Sequence, residues 1–118
     1  MGFSDTTAWN AGGNRMTLLY EYELSNNWVL NTFKTGTATQ TTSSTAVTTG
    51  WHHVKVMCDA TGANVYGYVD GVLVATNTTN IPTALVPPMC SYRKTLGSSA
   101  MNIGIDYISI KQAFTTAR

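Results

Sequence analysis

A chain of 118 residues is about one domain's worth, long enough to bury roughly two-thirds of the surface its unfolded form exposes. With 11% charged residues and a formal net charge of +1, it has no electrostatic footprint for nucleic acid or an anionic membrane. No apolar run reaches the ~20 residues of a membrane-spanning helix, and the opening MGFSDTTAWN has neither the basic nor the apolar region of a secretion signal. The expectation is a single domain over residues 1–118, with no nucleic-acid partner and no membrane insertion.

Threonine is over-represented and the good helix formers Glu, Lys, Gln and Arg are scarce, which favours strands. In chain order, the first predicted strand is Met16–Tyr22, MTLLYEY. At its end, in YEYELS, Glu21 and Glu23 project from one strand face, a spacing that could set up the acid and nucleophile of a retaining glycosidase, whose carboxyls lie ~5 Å apart. Exposed edge charges explain the pair equally well. The second strand is Asn27–Phe33, NWVLNTF. The nearly uncharged run Thr35–Gly50 reads either as an exposed strand with a loop or as a flexible arm, with subunit packing by a polar ladder as a third use.

Trp51–Cys58 is the third strand, and its neighbours His52 and His53 point to opposite faces, so they do not readily share a metal ion. Asn64–Val69 and Val72–Asn77 flank Asp70-Gly71. An Asp-Gly pair between alternating apolar residues is the strongest short-range hairpin signal, because both central residues of a type I′ turn need positive φ. Asp70 is therefore expected at a hairpin corner rather than as a catalytic carboxylate or calcium ligand. Alternation places Val65, Gly67 and Val69 on one face and Tyr66 and Tyr68 on the other. The tyrosine pair is either a second buried face or an aromatic platform for a ligand.

Two further strands are predicted at Met89–Lys94 and Met101–Ile110. The last carries Ile103, Ile105 and Tyr107 on one face and Ile108 and Ile110 on the other, the pattern of a central strand. Asp106 inside such a strand would need donors from a turn or from Arg93, or a calcium ion. Cys58 and Cys90 form no CxxC pair and are compatible with two buried free thiols or with one disulfide. Seven short strands separated by turn signals suggest an all-β, antiparallel two-sheet sandwich, with a barrel as the lesser alternative. No GxSxG, GxGxxG or GxxxxGK[ST] pattern occurs, so the chain is read as a non-enzyme without a cofactor, calcium alone staying open.

Gly50-Trp51-His52 opening a strand, Tyr68-Val69-Asp70-Gly71 ending another, and Ile105-Asp106-Tyr107-Ile108 near the close together resemble the later part of a concanavalin A-like, laminin G-like jelly-roll domain. GFSD at Gly2–Asp5 and NIPT at Asn80–Thr83 resemble versions of that domain in structural proteins of tailed bacteriophages. The resemblance implies two curved antiparallel sheets, used in such domains to bind glycans and sometimes calcium. It also implies that early strands of a full domain are missing, so the domain is a trimmed version or one whose sheet a neighbouring subunit completes. Related glucanases carry Glu-x-Asp-x-x-Glu on one strand. Here Glu21-Tyr22-Glu23 is followed by Leu24, Ser25 and Asn26, so the middle acid and the final Glu are absent and hydrolysis is not expected.

The functional expectation is a virion component, decorating the capsid or sitting in the tail, whose sandwich serves adhesion or glycan binding. Tyr22, Trp28, Tyr66 and Tyr68 would offer aromatic faces to a sugar, and Asn27 and Asn64 hydrogen bonds. Its partners would be other virion proteins, a cell-surface glycan or both, and further copies of itself, most plausibly as a trimer by family analogy. The alternative is a purely structural cement subunit that recognises no sugar.

Overall fold

The computed structural model describes residues 1–5, 13–20, 25–84, 86–91 and 103–111. Among them are eight strands and no helix: β1 Gly2–Ser4, β2 Arg15–Leu19, β3 Asn27–Lys34, β4 Thr37–Ala46, β5 Val54–Cys58, β6 Val65–Val69, β7 Val72–Asn77 and β8 Pro88–Met89. They form two antiparallel sheets, one in the order β4-β3-β2-β1-β8 and the other β5-β6-β7. The expected two-sheet β-sandwich is the fold.

Asp70-Gly71 forms the corner between β6 and β7. Asp70 has φ 52° and Gly71 φ 82°, the left-handed pair that a type I′ turn demands. A register shift follows at Gly67/Tyr68, opposite Val74 of β7, and both Val74 and Ala75 pack towards the core. The Thr-rich run also resolves: Thr35 (φ 45°) and Gly36 (φ 93°) turn the chain, and residues 37–46 pair along β3 as a ten-residue strand rather than a free arm.

The core lies between the sheets, with Met16, Leu18 and Leu30 of the larger one facing Val65 and Val69 of the smaller. Gly67 lets the layers close: a Cβ there would stand 3.1 Å from Leu18 Cδ1 and 3.4 Å from Leu30 Cδ1. Along the β4/β7 side the sheets are also stitched by polar groups. The buried Asn77 amide donates to the Leu30 and Thr39 carbonyls (3.2 and 3.0 Å) and to Thr32 Oγ1 (3.1 Å), while Thr32 Oγ1 donates to the Thr79 carbonyl (2.8 Å). The opposite side, where β5 forms the edge of its sheet, has no such stitching among the described residues.

The other face of the larger sheet is buried at β2 and β3, while its β4 residues Ala38, Gln40 and Thr42 are exposed. Thr17 and Asn31 are register partners on β2 and β3, each 1% exposed, and neither the Thr17 hydroxyl nor either amide atom of Asn31 has a hydrogen-bond partner among the described residues. In the next row Arg15 lies 4.2 Å from the centroid of the Phe33 ring.

Three expectations need correction. Trp51–His53 precede β5 instead of opening it, and from Met89–Lys94 only Met89 is in a strand among the described residues. The expected central strand Met101–Ile110 is not one: residues 103–110 carry no strand and are exposed throughout, Asp106 included. Their apolar alternation expresses a capacity for burial between neighbours, but the segment lies exposed beside the chain leading into β5. There a Cβ on Gly104 would lie 2.8 Å from Trp51 Cη2, and the Tyr107 ring stacks on His53 with centroids 6.3 Å apart. Cys58 and Cys90 are both free thiols and half-buried; Cys58 packs against the core, which pushes its thiol pKa up.

Candidate functional site

Because β6 alternates, Tyr66 and Tyr68 stand side by side on the face of the smaller sheet turned away from the core, each half-buried. Strand pairing builds a patch around them. Lys55 and Leu73 flank Tyr68 in one row, and Met57 and Thr76 flank Tyr66 in the next. Lys55, Leu73 and Thr76 are exposed, and Lys55 Nζ sits 4.7 Å from the centroid of the Tyr68 ring. The arrangement offers two aromatic surfaces, one ammonium group and one hydroxyl on a single solvent-facing plane. The tyrosines, half-buried, do not form a second fully buried face.

The other candidate residues lie elsewhere. Trp28 packs against the core on the inner side of the larger sheet, edge-on to His52 (5.8 Å, 80°), with its indole N–H buried and without a partner among the described residues. The Asn27 amide donates to the Ser43 carbonyl (2.8 Å) at the irregularity between β3 and β4. The Asn64 amide donates to Asp59 Oδ2 (2.6 Å) in the turn before β6. Both asparagine side chains are thus engaged in holding local structure. Tyr22 lies outside the described residues, as do Glu21 and Glu23.

A second polar constellation joins the two halves of the GWHH…YVDG pattern. His52 Nδ1 donates to Asp70 Oδ2 (2.8 Å), Asp70 Oδ1 accepts the His53 backbone N–H (2.8 Å), and His52 Nε2 stands 3.0 Å from Thr48 Oγ1 and 3.3 Å from the Thr48 carbonyl. The hydroxyl, imidazole and carboxylate follow the order of a nucleophile, base and orienting acid. The Asp70 carboxylate can only accept, so His52 Nδ1 carries a proton, while Nε2 faces a hydroxyl that can donate or accept and a carbonyl that accepts. The hydrogen bond to Asp70 accordingly raises the His52 pKa above its ordinary value, and the bonds from His52 and from the His53 N–H lower that of Asp70. This is a clamp between the hairpin corner and the chain entering β5.

Asp59 plays a similar local part. Its carboxylate accepts from Asn64 Nδ2, the Ala63 N–H (2.8 Å) and Thr61 Oγ1 (3.0 Å), led by Asn64, and its pKa falls to about 2. His52 and His53 engage different partners, Asp70 and Tyr107. Among the described residues no three His, Cys, Asp or Glu side chains come together as a metal site.

Sequence reasoning missed Lys55 in the tyrosine patch and the His52–Asp70 bond. The first needed the β5/β6 register; the second was foreshadowed by His-52 and Asp-70 standing in the two motif halves, but only the sheet brings those halves together. No curated protein and no solved structure matches the chain. Residues 1–110 match the model of a protein family described as SO2946-like, C-terminal domain, and the chain belongs to that family.

Proposed function

We propose that this domain is a non-enzymatic binding module whose Tyr66–Tyr68 face holds a glycan, and that it serves adhesion in a phage virion. The observation that carries the binding role is the pair of tyrosines on the solvent side of β6 with Lys55 and Thr76 beside them. A pyranose presents a C–H face that stacks on an aromatic ring, and its rim hydroxyls seek donors and acceptors such as an ammonium, a hydroxyl and phenolic oxygens. The virion setting rests on the likeness of the GFSD and NIPT segments to phage structural proteins.

A glycan array followed by titration of any hit tests this reading. The expected result is binding that Tyr66→Ala and Tyr68→Ala each weaken, an aromatic contact being worth about 0.5–1.5 kcal/mol beyond the area it buries. Absence of binding by the parent chain would overturn it and favour the cement subunit. That second reading draws support from the exposed apolar segment 103–110, a surface suited to protein contacts; addition of the purified chain to particles lacking it is its test.

A further inference from the structure

The sandwich is finished on one side and open on the other. Among the described residues both β5 and β7 are edge strands of the smaller sheet; the β7 side is bridged to the larger sheet by the Asn77 amide, and the β5 side, Val54–Cys58, has no such bridge. Edge strands are commonly blunted by an outward lysine. Here Lys55 folds back over the Tyr68 ring, on the β6 side, and no strand pairs with the β5 edge among the described residues.

Next to this edge lies the segment that has the composition of a central strand and no ladder. Ile103, Ile105, Ile108 and Ile110 are 50–56% exposed, Tyr107 63% and Trp51 75%. At roughly 150–250 Å² for a large side chain these groups present on the order of 600 Å² of apolar surface. A standard interface takes ~800 Å² from each partner, and monomers rarely expose patches beyond a few hundred. Gly104 on Trp51 and Tyr107 on His53 anchor the segment at the entrance of β5 rather than along it.

We propose that residues 103–110 add as a strand to the β5 edge of a second copy of this chain, reciprocally, so that two small sheets join through their open sides. The occupant is a second copy because one chain carries both complementary parts, an unpaired strand edge and an unpaired strand-like segment, at one place. A twofold arrangement then satisfies both at once and covers most of the area that a standard interface takes from each partner. This inference is independent of what the tyrosine face binds.

The experiment combines sedimentation analysis with amide exchange on the intact chain over roughly 1–100 µM, micromolar association being the weak end for an interface of this size. The expected result is a mass rising from one chain to two, with the β5 amides that face away from β6 exchanging more slowly as concentration rises. Ile105→Lys with Ile108→Lys, one charge on each face of the segment, should weaken association ~100-fold, since like charges would face each other across the twofold. If that variant does not fold, the exchange series on the parent chain decides. A single-chain mass throughout, a dimer indifferent to both substitutions, or β5 protection already complete at the lowest concentration would each overturn the proposal. The last would place the segment on its own chain's edge. Glycan binding is read separately, so its failure leaves this result standing.

Discussion

The Asp70 carboxylate holds His52 and its neighbour together, taking the His52 ring on one oxygen and the His53 backbone N–H on the other, each at 2.8 Å. A residue placed at the corner by its left-handed backbone also fixes the entrance of the next strand. Asp70→Asn should keep the turn, because Asn tolerates positive φ, and should still accept from the His53 N–H. It removes the charge, so the His52 pKa should fall back towards 6.5, the ordinary value, in an NMR titration. Asp70→Ala loses both the clamp and the ease of the backbone conformation and should lower the melting temperature further than Asp70→Asn. Equal effects of the two would show that the clamp is idle.

The same pair sets a pH profile. His52 is raised above 6.5, so its contribution to stability is complete below that value and is lost as pH climbs through the raised folded-state pKa. Asp70 is lowered below 3.8, so its contribution is complete above that value and is lost as pH falls through the lowered one. Stability from the clamp should therefore plateau between about pH 4 and 6.5 and decline on both sides, with Asp59 adding to the acid limb as pH falls from 3.8 through about 2. Thermal unfolding across pH 3–9 should show the alkaline decline in the parent and not in His52→Gln. A parallel decline in both would assign it to other groups.

Gly67 is a packing contact between layers, and it should resist even a methyl group. Its added Cβ would press on Leu18 Cδ1 at 3.1 Å, and Leu18 is 1% exposed with little room to retreat. Gly67→Ala should cost about 1–3 kcal/mol in urea denaturation, as overpacking in a tight core does. Combining it with Leu18→Val, which withdraws the pressing group, should recover part of that loss. A stabilised Gly67→Ala variant would mean that the sheets can separate slightly at no cost.

What was legible in the sequence was local. Asp70-Gly71 announced its turn because the requirement for positive φ falls on two adjacent residues, and the Val/Tyr alternation of β6 announced its two faces for the same reason. β1 was not legible: Gly2–Ser4 is three residues with no pattern of its own and becomes a strand only against Thr17 and Met16. Ile103–Ile110 misled in the opposite sense, since its pattern describes a preferred environment and says nothing about which edge supplies it. The tyrosine pair of the candidate site was visible from alternation, whereas Lys55 joined it through a cross-strand register that no spacing along the chain encodes. Trp28, Asn27 and Asn64 were grouped with the tyrosines by residue type, and the fold sends them to the core and to two separate turns.

Two buried asparagines, each 1% exposed, give the sharpest contrast between a polar group that is used and one that is not. The Asn77 amide nitrogen serves three acceptors on β3 and β4 and so ties the sheets together. Asn31, on the other face of β3, has neither its nitrogen nor its oxygen paired among the described residues. Replacing Asn77 by Leu, of similar volume, should cost about 2–3 kcal/mol, because the desolvated carbonyl of Thr39 and hydroxyl of Thr32 lose their donor. Replacing Asn31 by Leu removes an unmet desolvation cost and leaves no former partner behind, so it should be neutral or stabilising by up to about 2 kcal/mol. Chemical denaturation of both variants checks the pair together. A loss at Asn31→Leu as large as that at Asn77→Leu would show that Asn31 has a partner in solution, with an ordered water between it and Thr17 as the first candidate.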